Sequence, residues 1–241
     1  MRMVNIDLQI KSLNHSITNN TILNDINLNL KDPQVVALLG PNGAGKSSLL
    51  KSLAAQFYPQ KGHIQINGID AESQRQEYLE LIGYMPENAT IIPELTVIEQ
   101  LSLMAYLRGS KPVKTDLQSL INLCRLHKVK NKRTAQLSLG YKQRLNLAQA
   151  LLNQPLVLIM DEPLNGLDPH LIIEFRNIIR ELKKKTLILI STHYLAEAEI
   201  ISDRVLIMQN GLMLDNIELN QSAFDLEQTY MQHTANNEQS L

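Results

Sequence analysis

A single cysteine, Cys124, stands in a chain of 241 residues, so no disulfide can form within it. That scarcity points to a reducing compartment. Cys124 sits inside the helix-like run LQSLINLCRL and reads as core filler. Charge of one sign is also lacking: 23 Lys and Arg face 24 Asp and Glu, which removes the electrostatic case for a nucleic-acid partner. No apolar run exceeds five residues, whereas a membrane span needs about 20. The chain is therefore expected to be soluble by itself, and any work at a membrane needs spans from a partner. The opening stretch MRMVNIDLQIKS alternates apolar and polar residues instead of starting with an apolar block, so no targeting segment is expected. Internal repeats and sustained heptads are absent too.

What is present is 44% hydrophobic residues, enough for a sizeable core in one large or two small domains. Val4, Ile6, Leu8 and Ile10 alternate with polar residues, as do Ile26, Leu28 and Leu30. Both runs predict half-buried strands of an antiparallel sheet. QVVALLG is a short apolar strand entering a Gly-rich turn, behind which Leu49, Leu50, Leu53, Ala54 and Phe57 recur at helical spacing. GHIQINGID predicts a hairpin turning at Asn67-Gly68. From about residue 96 to 129 the pattern is helical, with a Lys-Pro break. There follow a helix near 140–153, strand LVLIM, a helix near 168–184, strand TLILIS, helix YLAEAEII and strand RVLIM. Alternating strands and helices argue for a mainly parallel sheet covered on both faces. The Gln- and Asn-rich tail predicts one short helix and a disordered end.

Residues 40–47, GPNGAGKS, fit the phosphate-loop pattern G-x-x-x-x-G-K-[ST] between an apolar strand and a helix. Gly43 and Gly45 let backbone N–H groups converge on phosphate oxygens, and the following helix aims its N-terminus at the same anion. Lys46 would neutralise the β- and γ-phosphates, and the Ser47 hydroxyl would ligate Mg²⁺. Further on, strand LVLIM ends in Asp161 and Glu162. Asp161 would hold the same Mg²⁺, leaving Glu162 to polarise the attacking water as general base. An acidic pair after a strand can also be a helix cap, but the upstream phosphate loop favours the catalytic reading. His193 ends strand TLILIST, where a neutral imidazole could contact the γ-phosphate and the water; a histidine there would otherwise be unremarkable.

Taken in order, these pieces resemble the ATP-binding subunit of an ABC transporter over about residues 4–215. GPNGAGKSS looks like the Walker A loop (Gly40, Pro41, Asn42, Gly43, Ala44, Gly45, Lys46, Ser47, Ser48). LVLIMDEP looks like Walker B followed by the catalytic glutamate, and STH like the switch histidine. LNGLD is similar to the D-loop, with Asp168 bridging two sites, and QLSLGYKQR falls where the family places its signature. The resemblance implies the P-loop NTPase ABC ATPase fold: an α/β core with a mainly parallel sheet, an antiparallel β subdomain and a helical signature subdomain. It divides the chain into an ATPase domain over 1–218, its helical part about 88–153, and a tail over 219–241. It implies ATP and Mg²⁺ as cofactors and a head-to-tail dimer, read as a homodimer, in which Ser138, Leu139, Gly140 and Tyr141 meet the ATP held by the partner. ATP closes the dimer, hydrolysis reopens it, and an integral membrane permease converts the motion into transport at the cytoplasmic face of the inner membrane. IGYMPE, LTVIEQLSLMAYLRG and LSLGYKQRLNLAQAL look most like bacterial ABC-2-type exporters.

Three departures stand against that pattern. Glu87 replaces the Q-loop glutamine; its carboxylate can still ligate Mg²⁺ but cannot donate as an amide does. Residues 13–20, LNHSITNN, hold no Phe, Trp or Tyr to stack on adenine, so either His15 stacks or the segment is a plain solvated loop. Leu139 stands where the signature has Gly, and Tyr141 where it has Gln; if Leu139 pointed inward it would block the partner's nucleotide. Competing readings are an ABC importer ATPase, a non-transport ABC ATPase and a non-hydrolysing binding module. Only 92 residues separate Lys46 from Ser138, too few for the coiled coil of DNA-maintenance members, and Glu162 with His193 argues against a non-hydrolysing module.

Overall fold

A computed structural model describes residues 5–88, 90–109, 114–219 and 225–235 of the chain. The first two strands, β1 (Asp7–Ile17) and β2 (Asn20–Lys31), form one long antiparallel hairpin. Ile6, Leu8, Ile10, Ile26, Leu28 and Leu30 are all buried, as their alternation predicts, while Val4 lies outside the described residues. Residues 13–17, expected as a loop, instead continue β1 through register shifts, so the pairing persists with the strand bent.

β3 (Val35–Leu39) is buried at every residue and leads through the glycine-rich turn into α1 (Lys46–Leu53). β4 (Lys61–Ile66) and β5 (Ile69–Asp70) make the expected hairpin; Asn67 and Gly68 both take positive φ (52° and 81°), as a type I′ turn requires. Two elements had no visible periodicity in the sequence, α2 (Arg75–Glu80) and β6 (Ile82–Met85). α3 (Val97–Leu107) opens on a capping box between Thr96 and Glu99. α4 (Lys114–Leu123) and α5 (Leu139–Ala150) complete the helical part; the Lys-Pro break before α4 lies outside the described residues. Then come β7 (Val157–Met160), α6 (Pro169–Leu182), β8 (Leu187–Thr192), α7 (Leu195–Ile201), β9 (Arg204–Gln209), the unpredicted edge strand β10 (Leu212–Glu218) and α8 (Leu226–Ala235). The last six residues of the tail, 236–241, fall outside the described residues.

The strands form two sheets, ordered β2-β1-β4-β5 and β10-β9-β3-β8-β7-β6. The larger is parallel except for β10. Its strands feed both faces: Val157, Ile159, Leu187 and Leu189 pack into one core with the small sheet and α1, and Leu158, Met160, Ile188 and Ile190 pack into another with α3, α5 and α6. Each such side chain is worth about 1.5–3 kcal/mol on full burial, which explains why these runs are apolar at every position. The carboxyl ends of β3, β7 and β8 consequently meet along one edge, where ligands of open α/β sheets bind.

Candidate active site

The β3–α1 turn is built around two conformations that side chains avoid. Gly43 and Gly45 hold φ of 84° and 101°, a region that costs an L-residue about 1–2 kcal/mol. At Gly45 a Cβ would also stand 2.7 Å from the carbonyl oxygen of Ile22. α1 begins immediately afterwards with no side-chain cap and no acidic residue in its first turn, so its N-terminal partial positive charge is uncompensated by its own sequence.

Lys46 is nearly buried, and its Nζ donates to the carbonyl oxygens of Gly40 (2.7 Å) and Pro41 (3.2 Å). The ammonium also lies 3.7 Å from Glu162 Oε1. Burial pulls its pKa below 10.5, and the carboxylates of Glu162 and Asp161 oppose that shift.

β7 delivers the carboxylate pair. The Asp161 N–H donates to Met85 O of β6 (2.9 Å), and its buried Oδ1 accepts from Ser47 Oγ (3.1 Å) and Ser191 Oγ (2.7 Å). Ser191 Oγ in turn accepts the Glu162 N–H at 2.8 Å, which holds Glu162 in a left-handed turn (φ 46°). His193 Nδ1 lies 3.1 Å from Glu162 Oε2 and its ring rests 3.9 Å from that of Tyr194. Glu162 is thus gripped on one oxygen by Lys46 and on the other by His193.

Lys46, Ser47, Glu162 and His193 open on one cleft of about 340 Å³, lined also by residues 42–45, Ser48, Glu87, Asn165 and Ile22. Glu87 sits exposed at its rim, with Oε1 3.5 Å from Asn165 Nδ2. Ser191 and Asn165 were not anticipated. Ser191 had a signal, a polar residue inside the apolar run of β8; Asn165 had none. The donor set suits a hard cation: Ser47 and Asp161 offer oxygen ligands side by side. Among the described residues no group of three or more His, Cys, Asp and Glu could hold a metal by itself, so such an ion would take its remaining ligands from phosphate and water.

The signature residues line none of that cleft. Ser138 is the N-cap of α5, yet its hydroxyl makes no capping hydrogen bond, contrary to the usual behaviour of serine there. Together with Tyr141 and Arg144 it borders a separate depression of about 290 Å³. Gly140 lies against α6: a Cβ there would stand 2.5 Å from the end of the Leu171 side chain, which would have to shift. Leu139 is 48% exposed and lies over Gly166, where a Cβ would stand 3.2 Å from Leu139 Cδ2. Tyr141 packs partly into the core beneath the Arg144 guanidinium, 5.4 Å from the ring centre. Asp168 caps α6 through its side chain, accepting from the Leu171 N–H at 3.0 Å. His15 is not in a solvated loop: its ring centroid lies 4.4 Å from that of Phe57.

The chain matches the ABC transporter family over residues 23–165. It is 38% identical over 206 residues to the uncharacterised ABC transporter ATP-binding protein YxlF of Bacillus subtilis (strain 168), covering 85% of this chain and 68% of that protein. It is 32% identical to the bacitracin transport ATP-binding protein BcrA of Enterococcus faecalis, over 89% of this chain and 70% of that one. A solved ATP-binding subunit of an ABC transporter superposes with a TM-score of 0.82 at 31% identity, covering 94% of this chain and 99% of that chain. Sequence likeness and fold agree with a cleft built for a nucleoside triphosphate: the chain belongs to the ABC transporter family, as an ATP-binding subunit that hydrolyses ATP.

Proposed function

We propose that this subunit drives export through a separate membrane permease, working as a head-to-tail homodimer at the cytoplasmic face of the membrane. One observation carries the catalytic part: Lys46, Ser47, Asp161, Glu162 and His193 converge through direct contacts at the phosphate loop. The backbone of residues 42–45 and the N-terminus of α1 receive the phosphates, with Ser48 beside them in the cleft wall. Lys46 leaves its loop carbonyls to balance the phosphate charge. Ser47 and Asp161, with Glu87 at the rim, would hold Mg²⁺, which would supply charge neutralisation for the phosphates. Glu162 accepts the proton of the attacking water, and His193, which lines the same cleft, keeps that carboxylate oriented.

The dimer reading is supported by the separation of the two motifs. Ser138 and Gly140 begin an uncapped helix in a different depression from the phosphate loop, so they are suited to a phosphate brought by another subunit. Leu139, turned onto Gly166, leaves that approach open. A permease partner is supported by the transport names of the relatives and by the lack, among the described residues, of any helix long and apolar enough to cross a membrane. Export follows the name of another relative, the Nod factor export ATP-binding protein I of Bradyrhizobium diazoefficiens, 33% identical over 88% of this chain. The division into a domain over 1–218, with its helical part at 88–153, and a tail over 219–241 belongs to the same proposal.

Phosphate release by wild type and Glu162→Gln tests the catalytic assignment. Loss of a positioned base lowers turnover about 10²- to 10⁴-fold with ATP binding retained. Equal rates would defeat the role given to Glu162.

A further inference from the structure

The depression beside the start of α5 holds more positive charge than its own residues neutralise. Arg125, Lys128 and Arg144 line it together with Ser138 and Glu174, so three permanent cations face one carboxylate. Arg144 is nearly buried and pairs with Glu174 Oε2, while Arg125 Nη1 lies 3.5 Å from Oε1 of the same group. Lys128 is exposed and has no carboxylate within ion-pair distance among the described residues. The surplus makes the depression attractive to an anion. Ser138, the N-cap of α5, lines the same space with its hydroxyl uncommitted to capping, at the positive end of the helix.

The backbone at Arg125 points the same way. α4 closes with the Leu126 N–H donating to Ile121 O (2.8 Å) and the Arg125 N–H to Asn122 O (3.0 Å), a Schellman ending in which Arg125 takes φ 55°. Glycine is the usual residue there, because a side chain strains the left-handed conformation. The contact with Glu174 is a weak reason to accept that strain, since an ion pair at 3.5 Å with a guanidinium side chain 40% exposed contributes little. A second anion entering the depression would give the same guanidinium a stronger use.

We propose that Arg125 and Lys128 bind the phosphates of the nucleotide held by a second subunit, from the depression that Ser138 also lines. Phosphate oxygens replace water around the Lys128 ammonium and give the Arg125 guanidinium an acceptor beside Glu174. The inference rests on the reading of Ser138 and Gly140 as contacts to that nucleotide.

Dimer formation by the Glu162→Gln chain on addition of ATP and Mg²⁺, measured by sedimentation equilibrium, tests it. Lys128→Gln in that background is expected to weaken dimerisation about 3- to 10-fold and to flatten its salt dependence, and Lys128→Arg to restore both. Lys132, exposed on the same loop but outside the depression, supplies the control, and Lys132→Gln is expected to change neither. Arg125→Gly is expected to weaken dimerisation by a similar factor while raising the thermal midpoint of the nucleotide-free subunit, because glycine relieves the backbone. Unchanged dimerisation in either variant removes that residue from the site, and an equal loss in Lys132→Gln overturns both. A Glu162→Gln chain that forms no dimer on ATP overturns the shared-site reading beneath the inference, a distinct result.

Discussion

Cys124 has no exposed surface, and burial pushes its thiol up to about 12 while the Arg144 guanidinium pulls weakly the other way. Since the thiolate is the reacting species, an aromatic disulfide reagent should leave the folded chain unmodified at pH 8 and titrate one thiol per chain in denaturant. Prompt reaction of the native protein would place this residue outside the core. At the same scale, Lys46, Ser47, Asp161 and Glu162 were legible in the sequence because each sits at a fixed offset from a glycine turn or an apolar strand end. Ser191 was less so. It binds Asp161 and Glu162 across 30 and 29 positions of sequence, and that contact exists only because β7 and β8 are neighbours. His15 shows the opposite failure: a polar stretch suggests a loop, but Phe57 gives its ring a packing partner.

Elements tell a similar story through their ends. α6 takes its N-cap from Asp168, with Pro169 at the first helical position. The bridging role that the family resemblance implies for Asp168 would therefore coexist with a local one. Asp168→Ala should lower the stability of the isolated subunit by about 1 kcal/mol, or roughly 2–4 °C in a thermal melt. No shift would mean the cap is dispensable and the residue is kept for the dimer alone. α5 contrasts with it, since Ser138 withholds its hydroxyl from the helix it opens. β6 escaped the sequence reading because it is four residues long and interrupted by Gly83. The glycine is there for α5: a Cβ would stand 2.3 Å from the carbonyl oxygen of Ala150. A strand chosen for close approach of a helix does not advertise itself by periodicity.

The whole molecule sets the phosphate loop and the signature helix in different depressions, so one chain alone does not bring them to the same phosphate. Ser138 is exposed, and arginine there can be accommodated without disturbing the core. Ser138→Arg should leave ATP binding by the isolated subunit intact and reduce the Hill coefficient of ATP turnover from roughly 2 to 1. Cooperativity surviving that change would rule out a phosphate site shared between subunits.

By itself the sequence determined the phosphate loop, the carboxylate pair and the two-face apolar strands, because these depend on local geometry and on spacing along one chain. Tertiary structure alone decided which groups meet. Strand order brings Ser191 and His193 to the carboxylates. Packing of α5 against α6 and the turn before it sets Gly140 against Leu171 and lays Leu139 over Gly166. Leu139 was the residue the sequence left open, and the fold lays it over Gly166, 27 positions away, a contact that no local rule encodes.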